Sequence, residues 1–367
     1  MNIWTLFATD QLGIRQAQID VYEKCEIVAR ANAVSTWTLT LPTDCDAGRF
    51  FLTATQPRLE VRLDDAIWRS GPVSQIERTV DLDGDMLDLA GVDDTVWLAR
   101  RLAHPQPGTA APPYSATAYD THTGPLTIVL HDLVNVNAGP AAVAARQVPG
   151  LTVPTVAAAG PTVTVNARWQ NLLTLLADNA RTGGVIFDVS DLTFHAFIPP
   201  DRGVVFSDGL GTLGAWKVTS PAPAANKVFV AGGGEGVDRI IRELDDPPSI
   251  AAWGRAETFQ DRRDTTDLAQ LDQAAADALA LGVTPATVVF TALDTEGQAF
   301  GHDWALGDTV TVRAGELTVL DEIREVHVML DGYVPTVTPS VGAPSGDLGL
   351  FRSLAGLERR VRQLERV

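Results

Sequence analysis

Trp37-Thr-Leu-Thr-Leu41 and Arg58-Leu-Glu-Val-Arg-Leu63 are the stretches on which the fold class turns. In both, apolar and polar residues alternate, so an extended strand would be apolar on one face and wet on the other. The first stops at Pro42 and the second at Asp64-Asp65. Proline lacks a ladder N–H, and paired aspartates favour a turn. The same period runs outward on both sides. Gln18 to Val28 alternates imperfectly, and Ile67-Trp68-Arg69 leads into Ser70-Gly71-Pro72. Val73 to Val80 resumes, Asp81-Leu-Asp-Gly-Asp85 turns, and Met86-Leu-Asp-Leu-Ala90 follows. Short period-two runs punctuated by Asp, Gly and Pro predict an antiparallel barrel or sandwich over the first ninety or so residues.

Beyond Asp94 the period changes. Asp94-Thr95 can cap a short helix through Val96, Trp97 and Leu98 to Arg101. His104 to Tyr114, rich in Pro, Gly and Ala, reads as a loop. Pro125 suits a first helical turn before Leu126, Val129, Leu130, Leu133 and Val134, and Gly139-Pro140 ends that helix. Ala138 to Pro161 reads as extended. Trp169, Leu172, Leu173 and Leu176 mark an amphipathic helix stopped by Gly183-Gly184. Val185–Val189 and Thr193–Phe197 form a hairpin.

From Val204 the β pattern returns. Lys227–Ala231, the loop Gly232–Gly236 and Val237–Arg242 read as strand, loop, strand. Glu257 to Asp264 approaches a helix with apolar positions Leu268, Leu271, Ala275, Ala278 and Leu279, ended by Gly282. Ala286–Ala292, Asp308–Arg313 and Leu317–Leu330 are predicted strands, and Gly332–Gly349 a linker. In the last segment Leu350, Leu354, Leu357, Val361 and Leu364 fall at alternating spacings of four and three. That is a heptad seam, with Glu358 and Arg360 on its flanks, and a candidate interface with sister copies or a partner. At under three heptads it is too short to hold alone in water. The other reading is an amphipathic helix lying on its own domain.

Composition narrows the function classes. The 367 residues suggest two or more domains, and 45% hydrophobic content is enough to bury a core. No apolar run is long enough for a membrane helix. Met1 to Asp10 carries no basic region, so no signal peptide is expected. The formal net charge of −18 argues against duplex DNA binding, which draws its affinity from Lys and Arg on phosphates. Lysine is confined to Lys24, Lys217 and Lys227, a bias of GC-rich coding. Cys25 and Cys45 are too few for a disulfide framework; two free thiols are the simpler reading, with a single bridge as the alternative.

Candidate chemistry is sparse. Gly232-Gly-Gly-Glu-Gly236 lacks the Lys-Ser/Thr of a phosphate loop and precedes a strand, so it reads as an inter-strand loop. His104, His122, His131, His195, His302 and His327 show no short metal-ligand spacing. Asp81-Leu-Asp83-Gly-Asp85 resembles part of a calcium loop without its distal Glu, and a turn explains it better. No G-x-S-x-G occurs, neither cysteine sits in a nucleophile signature, and the carboxylates are scattered. The eight tryptophans are dispersed with no interleaved basic patch. No catalytic residue, cofactor or metal site is therefore expected, and the chain reads as a non-enzyme.

Three groups of segments carry a family resemblance. The first runs from Arg58-Leu-Glu-Val-Arg62 through Trp68-Arg-Ser-Gly-Pro-Val73 to Leu89-Ala-Gly-Val-Asp-Asp94. The second is Leu151-Thr-Val, the Trp169–Leu176 helix and Gly183-Gly184. The third is Gly254 to Thr265, the Leu268–Leu281 helix and Trp304-Ala-Leu-Gly-Asp-Thr-Val310. In this order they resemble the tail-hub proteins of siphophages, which are similar to contractile-phage baseplate hubs and to the hub part of type VI secretion spikes. The resemblance implies a mainly β chain with an α/β insertion. Two small β-barrel tube-type domains are implied, the first at 1–93 and completed by strands in 200–245, the second at 246–335. The α/β domain would be 94–199, the linker 336–349 and the C-terminal helix 350–367.

The implied function is a trimeric ring at the tail tip of the virion, assembled in the host cytoplasm. It would adapt a sixfold tail tube or distal tail protein to a threefold central fibre or spike. Implied partners are sister copies, those tail-tip proteins and the tape measure protein. DNA would pass only in transit through an acid-lined bore, and no stable membrane insertion is implied. The alternatives are a tail-tip cell-wall hydrolase and a module that binds host-surface carbohydrate.

Overall fold

The structure is a computed structural model and describes residues 3–82, 84–112, 114, 116–219, 222–282, 287–293, 295, 297–331 and 335–342. The described residues fall into two compact units. One is Met1–Trp216 with Val289–Val341, and the other is centred on Lys217–Val288.

The first unit opens with β1 (Trp4–Thr9), β2 (Arg15–Gln18), β3 (Lys24–Arg30) and β4 (Thr36–Pro42). Helix α1 (Asp46–Thr53) follows, then β5 (Arg58–Leu63), β6 (Ala66–Val80) and β7 (Asp85–Val92). The alternation in β4 is realised: Trp37, Leu39 and Leu41 are buried and the residues between them are wetter. They face Gly91, Leu89 and Leu87 of β7 on one side, and Leu39 and Trp37 face Cys25 and Ile27 of β3 on the other. This ladder is the apolar stripe that fixes register, since a one-residue slip would turn every side chain to the wrong face. Gly91 is required there. A Cβ at that position would fall 2.0 Å from the Trp37 ring, whose indole N–H donates to the Val92 carbonyl at 3.2 Å.

The α/β part holds α2 (Val96–Ala99), β8 (Asp120–Pro125), α3 (Leu126–Asn137), β9 (Thr162–Ala167), α4 (Leu172–Gly183), β10 (Ile186–Ser190) and β11 (Thr193–Phe197). Leu126, Val129, Leu130 and Leu133 of α3 share one core with Leu172, Leu176 and Ala180 of α4 and with Phe187, Val189 and Phe194 of the β10–β11 hairpin. The Asn171 side chain caps α4 by accepting the Thr174 N–H. Gly184 ends α4 at φ 63°, a left-handed backbone that favours glycine.

Next come β12 (Asp201–Ser207) and β13 (Leu213–Thr219). Lys217–Val288 then supplies β14 (Lys227–Ala231), β15 (Ile241–Asp245), α5 (Pro247–Trp253), β16 (Glu257–Asp261) and α6 (Leu268–Gly282). The chain closes with β17 (Thr287–Ala292), β18 (Thr309–Ala314), β19 (Leu317–Leu330) and β20 (Thr336–Val341).

The chain is mainly β. Its principal sheet has 13 strands in the open order β13-β17-β20-β19-β3-β4-β7-β6-β5-β1-β2, with β12 and β18 branching through β19. Among the described residues this path does not close into a barrel. The strand that joins the N-terminal set directly is β19, which pairs antiparallel with β3 from Glu325↔Arg30 to Leu330↔Cys25. The strands of 200–245 therefore do not complete the N-terminal sheet as a group. β12 and β13 attach further along the path, and β14 and β15 leave it for a separate three-stranded sheet.

Other expectations change with context. Thr336–Val341, expected in a linker, is strand β20 paired with β19, because Val337, Pro339 and Val341 can alternate against that long neighbour. Glu257–Asp261 is a strand parallel to β14, not a lead-in to a helix. The strand expected at Val237 begins only at Ile241, after a turn at Gly236–Asp238. Helix α1 lies where no helix was foreseen. Thr95 is the N-cap of α2 but makes no side-chain cap; its hydroxyl accepts the Val189 N–H instead.

Candidate functional site

The six histidines do not converge. His122 pairs with Asp120 at 2.8 Å, and His302 reaches Asp64 at 3.0 Å. His327 pairs with Glu26 at 2.8 Å across the β19–β3 ladder. His131 meets the Thr127 carbonyl at 2.8 Å and packs edge-on to Phe194, where burial pushes its pKa down. His195 is exposed on β11, and His104 sits in a ring cluster with Tyr114 and Trp169. Among the described residues no group of three or more His, Cys, Asp or Glu could hold a metal ion.

The remaining candidates also resolve into structure. Gly232 and Gly233 give their N–H groups to the carbonyls of Ile240 and Thr265, so this loop binds itself rather than a phosphate. Asp85 is held at about 2 by Arg78 and by the Thr43 hydroxyl. Asp83 lies outside the described residues. Cys25 and Cys45 are free thiols. Burial pushes the Cys25 thiol up to about 12, which leaves it a poor nucleophile. Cys45 is the N-cap of α1, its sulfur accepting the Gly48 N–H. Leu350, Leu354, Leu357, Val361 and Leu364 lie outside the described residues.

A buried ionic cluster joins the β strands to the α/β part. Arg58 and Asp94, almost fully enclosed, meet at 2.7 Å. The same Asp94 carboxylate accepts the Ser70 hydroxyl at 2.6 Å and the Trp97 indole at 3.3 Å. Beside it Asp93 accepts the Ser35 N–H, and burial pushes its carboxyl up to about 7. Asn32 clamps the joint from the other side, donating to the Val185 carbonyl and accepting from the Phe187 N–H. Arg69 reaches Asp188 at 3.3 Å. Asp94 is fully engaged, whereas Arg58 Nε and Nη1, Arg69 Nε and Asp93 Oδ2 are buried without a hydrogen-bond partner among the described residues. Sequence reading missed the cluster because Asp94 meets Ser70 and Arg58 from 24 and 36 residues away, and Asn32 reaches Val185 from 153.

The surfaces are more telling. β6 pairs with β5 through Ala66–Pro72 and with β7 from Val73 to Val80. From Ser74 to Val80 every residue is exposed, and among the described residues no strand covers that stretch on its second edge. The edge presents Ile76 and Val80, and Leu82 follows in the turn, wholly exposed. An uncovered strand edge is a row of free N–H and C=O groups that can pair with another chain.

The second unit also exposes apolar side chains on one face of its sheet. β14 lies between antiparallel β15 and parallel β16. Val228 and Val230 point to α6, where they meet Leu271, Ala274 and Ala275. The opposite face aligns Ile241, Ala231 and Asp261 in one row, then Glu243, Phe229 and Phe259 in the next. Ile241 and Phe259 are more than half exposed.

This arrangement of a long branched sheet, an α/β core and a small α/β unit is the fold of phage tail proteins. It is shared with the crystal structure of the 43 kDa tail protein of prophage MuSo2 from Shewanella oneidensis, at a TM-score of 0.63 and 13% identity over 93% of this chain and 98% of that one. A tail protein from Neisseria meningitidis MC58 matches at 0.58 and 12% identity over 93% and 96%. Prophage tail protein gp18 from Listeria monocytogenes EGD-e matches at 0.56 and 11% identity over 97% and 99%. Identities this low establish the fold alone. In sequence, residues 1–343 match the family described as Siphovirus ReqiPepy6 Gp37-like protein, and the chain belongs to that family. No curated protein matches it.

Proposed function

We propose that this protein is a structural component of the siphovirus tail, the hub of its tip, acting by self-assembly and not as an enzyme. Three copies form a ring in which each contributes two small barrel-type β modules. The ring joins the sixfold tail tube or distal tail protein to a threefold central fibre or spike, beside the tape measure protein. The open edge Ser74–Val80 carries this reading. A monomer gains nothing from a seven-residue edge with apolar side chains facing solvent, whereas a neighbouring copy can pair with it and bury them. The charge of −18 suits a bore through which DNA passes without sticking, because acidic walls offer no counterion-release gain. The heptad seam at Leu350, Leu354, Leu357, Val361 and Leu364 would point toward the fibre or bind sister copies.

The test is the solution mass of the purified chain together with negative-stain imaging. The expected result is a threefold ring of three 39.1 kDa chains. Ile76→Asp combined with Val80→Lys should shift the mass to one chain while leaving the fold intact. A native chain that stays monomeric up to high concentration, and is absent from purified tail tips, would overturn the reading. Release of peptidoglycan fragments by the pure protein would favour the hydrolase alternative instead.

A further inference from the structure

A cleft of about 320 Å³ opens beside the end of α2 and the turn that precedes α4. Arg100, Arg101, His104, Arg146 and Trp169 line it. In a chain with 46 acidic residues against 28 basic ones, three arginines gathered in one cleft should have found carboxylates. Their hydrogen bonds go elsewhere. Arg101 Nε donates to the Arg146 carbonyl at 2.9 Å, and Arg101 Nη1 to the Arg100 carbonyl at 3.3 Å. Arg146 Nη2 donates to the Leu102 carbonyl and to Asn137 Oδ1. Arg146 Nη1 is buried and has no hydrogen-bond partner among the described residues. The Arg100 guanidinium lies 5.1 Å from the Trp97 ring centre.

These partners orient the guanidinium groups without neutralising them. Asp120, the carboxylate whose charge reaches His104, is already engaged by His122. Burial and the neighbouring cation push the pKa values of Arg101 and Arg146 down, and burial with Arg146 does the same to His104. Arg101 and Arg146, partly buried beside the exposed Arg100 and without a carboxylate, are unfavourable until an anion fills the cleft.

The other wall is aromatic. His104 stands edge-on to Trp169 at 4.3 Å and to Tyr114 at 4.5 Å. Trp169 is held at φ 61°, a region that bulky residues avoid, and its N–H donates to the Ala103 carbonyl at 2.7 Å. Trp169 as a whole remains 43% exposed at the rim.

We infer that this cleft binds an organic phosphate, with the guanidinium groups of Arg100, Arg101 and Arg146 taking the phosphate oxygens and Trp169 covering the attached sugar or polyol. A planar carboxylate is satisfied by one arginine fork, whereas a tetrahedral phosphate can meet several donors from different directions. The volume admits more than the phosphate alone, and an exposed indole beside the charges offers a flat apolar surface to the C–H face of its carrier.

Calorimetric titration of the full chain with inorganic phosphate, glycerol 3-phosphate, short poly(glycerol phosphate) and glucose tests this. All three phosphates should bind saturably, the two organic ones several-fold more tightly than inorganic phosphate, and glucose should not bind. A polymer that binds more tightly per phosphate than glycerol 3-phosphate would identify a phosphodiester chain as the source; equal values would identify a monomeric ester. Arg100→Ala, at an exposed residue with no buried partner to orphan, should weaken glycerol 3-phosphate about tenfold. Trp169→Asn, which tolerates the left-handed backbone, should remove the advantage of the organic phosphates over the inorganic one. No saturable phosphate binding, or an unchanged affinity in Arg100→Ala, overturns the inference. So does displacement of glycerol 3-phosphate by an acidic peptide at lower concentration, which would make the cleft a docking point for protein carboxylates.

Discussion

The joint between β7 and α2 and the three-stranded sheet of the second unit solve the problem of burial in opposite ways. At the joint, polar groups are enclosed: Arg58 and Asp94 lie almost wholly inside, tied to Ser70 and Trp97. In the second unit a small apolar core of Val228, Val230, Leu271, Ala274 and Ala275 is covered by one helix, and on the reverse of the sheet Ile241 and Phe259 stay more than half exposed. The first arrangement is held by a buried ion pair whose partners, Ser70 and Trp97 on Asp94, fix one geometry, although Arg58 Nε and Nη1 have no hydrogen-bond partner among the described residues. The second rests on few apolar contacts and should open locally at lower free energy.

Removing the anion at the joint is the strongest way to break this contrast. Asp94→Ala leaves Arg58 charged and buried without its carboxylate, and should cost about 3–5 kcal/mol in denaturant-induced unfolding. A loss under about 1 kcal/mol would mean that the ionic cluster holds nothing in place. Leu271→Ala acts on the other region. Truncating a buried leucine costs about 2–5 kcal/mol, and here the loss should be local. Hydrogen exchange should quicken in Lys217–Val288 while α3 and α4 keep their protection; equal acceleration in both would show that the two regions unfold as one. Phe259→Ser sharpens the comparison from the quiet end. On an exposed face it should move the melting free energy by no more than about 0.5 kcal/mol. A larger loss would mean that this face is covered in the free protein.

What was legible in the sequence follows from how locally each feature is encoded. The strands around Trp37 and Arg58, the helices at Leu126, Leu172 and Leu268 and the hairpin at Val185–Phe197 declare themselves within a few residues of chain. Context erased the signal elsewhere. Thr336–Val341 carries a proline and reads as linker until β19 is set beside it. Glu257–Asp261 is too polar to show as a strand, because only one of its faces meets the helix side of its sheet. Helix α1 is short and depends on a cysteine cap, a weaker signal than Ser or Asp. Neither the ionic joint nor the arginine cleft has a motif. Arg100-Arg101, Arg146 and Trp169 become a site only when the α/β core brings α2 and the loop before α4 together. An arginine pair in so acidic a chain was the one available hint.

The pairing of β3 with β19 has a consequence for biosynthesis. Arg30 and Glu325 form an ion pair at 2.9 Å although they stand 295 positions apart in the chain. While the ribosome is still making the intervening polypeptide, one edge of β3 has no neighbour to occupy it, and sister chains on the same message carry the same vacancy. The N-terminal strands therefore wait, half built, until β19 has emerged. Ring assembly of the kind proposed above would then have to follow translation, not accompany it.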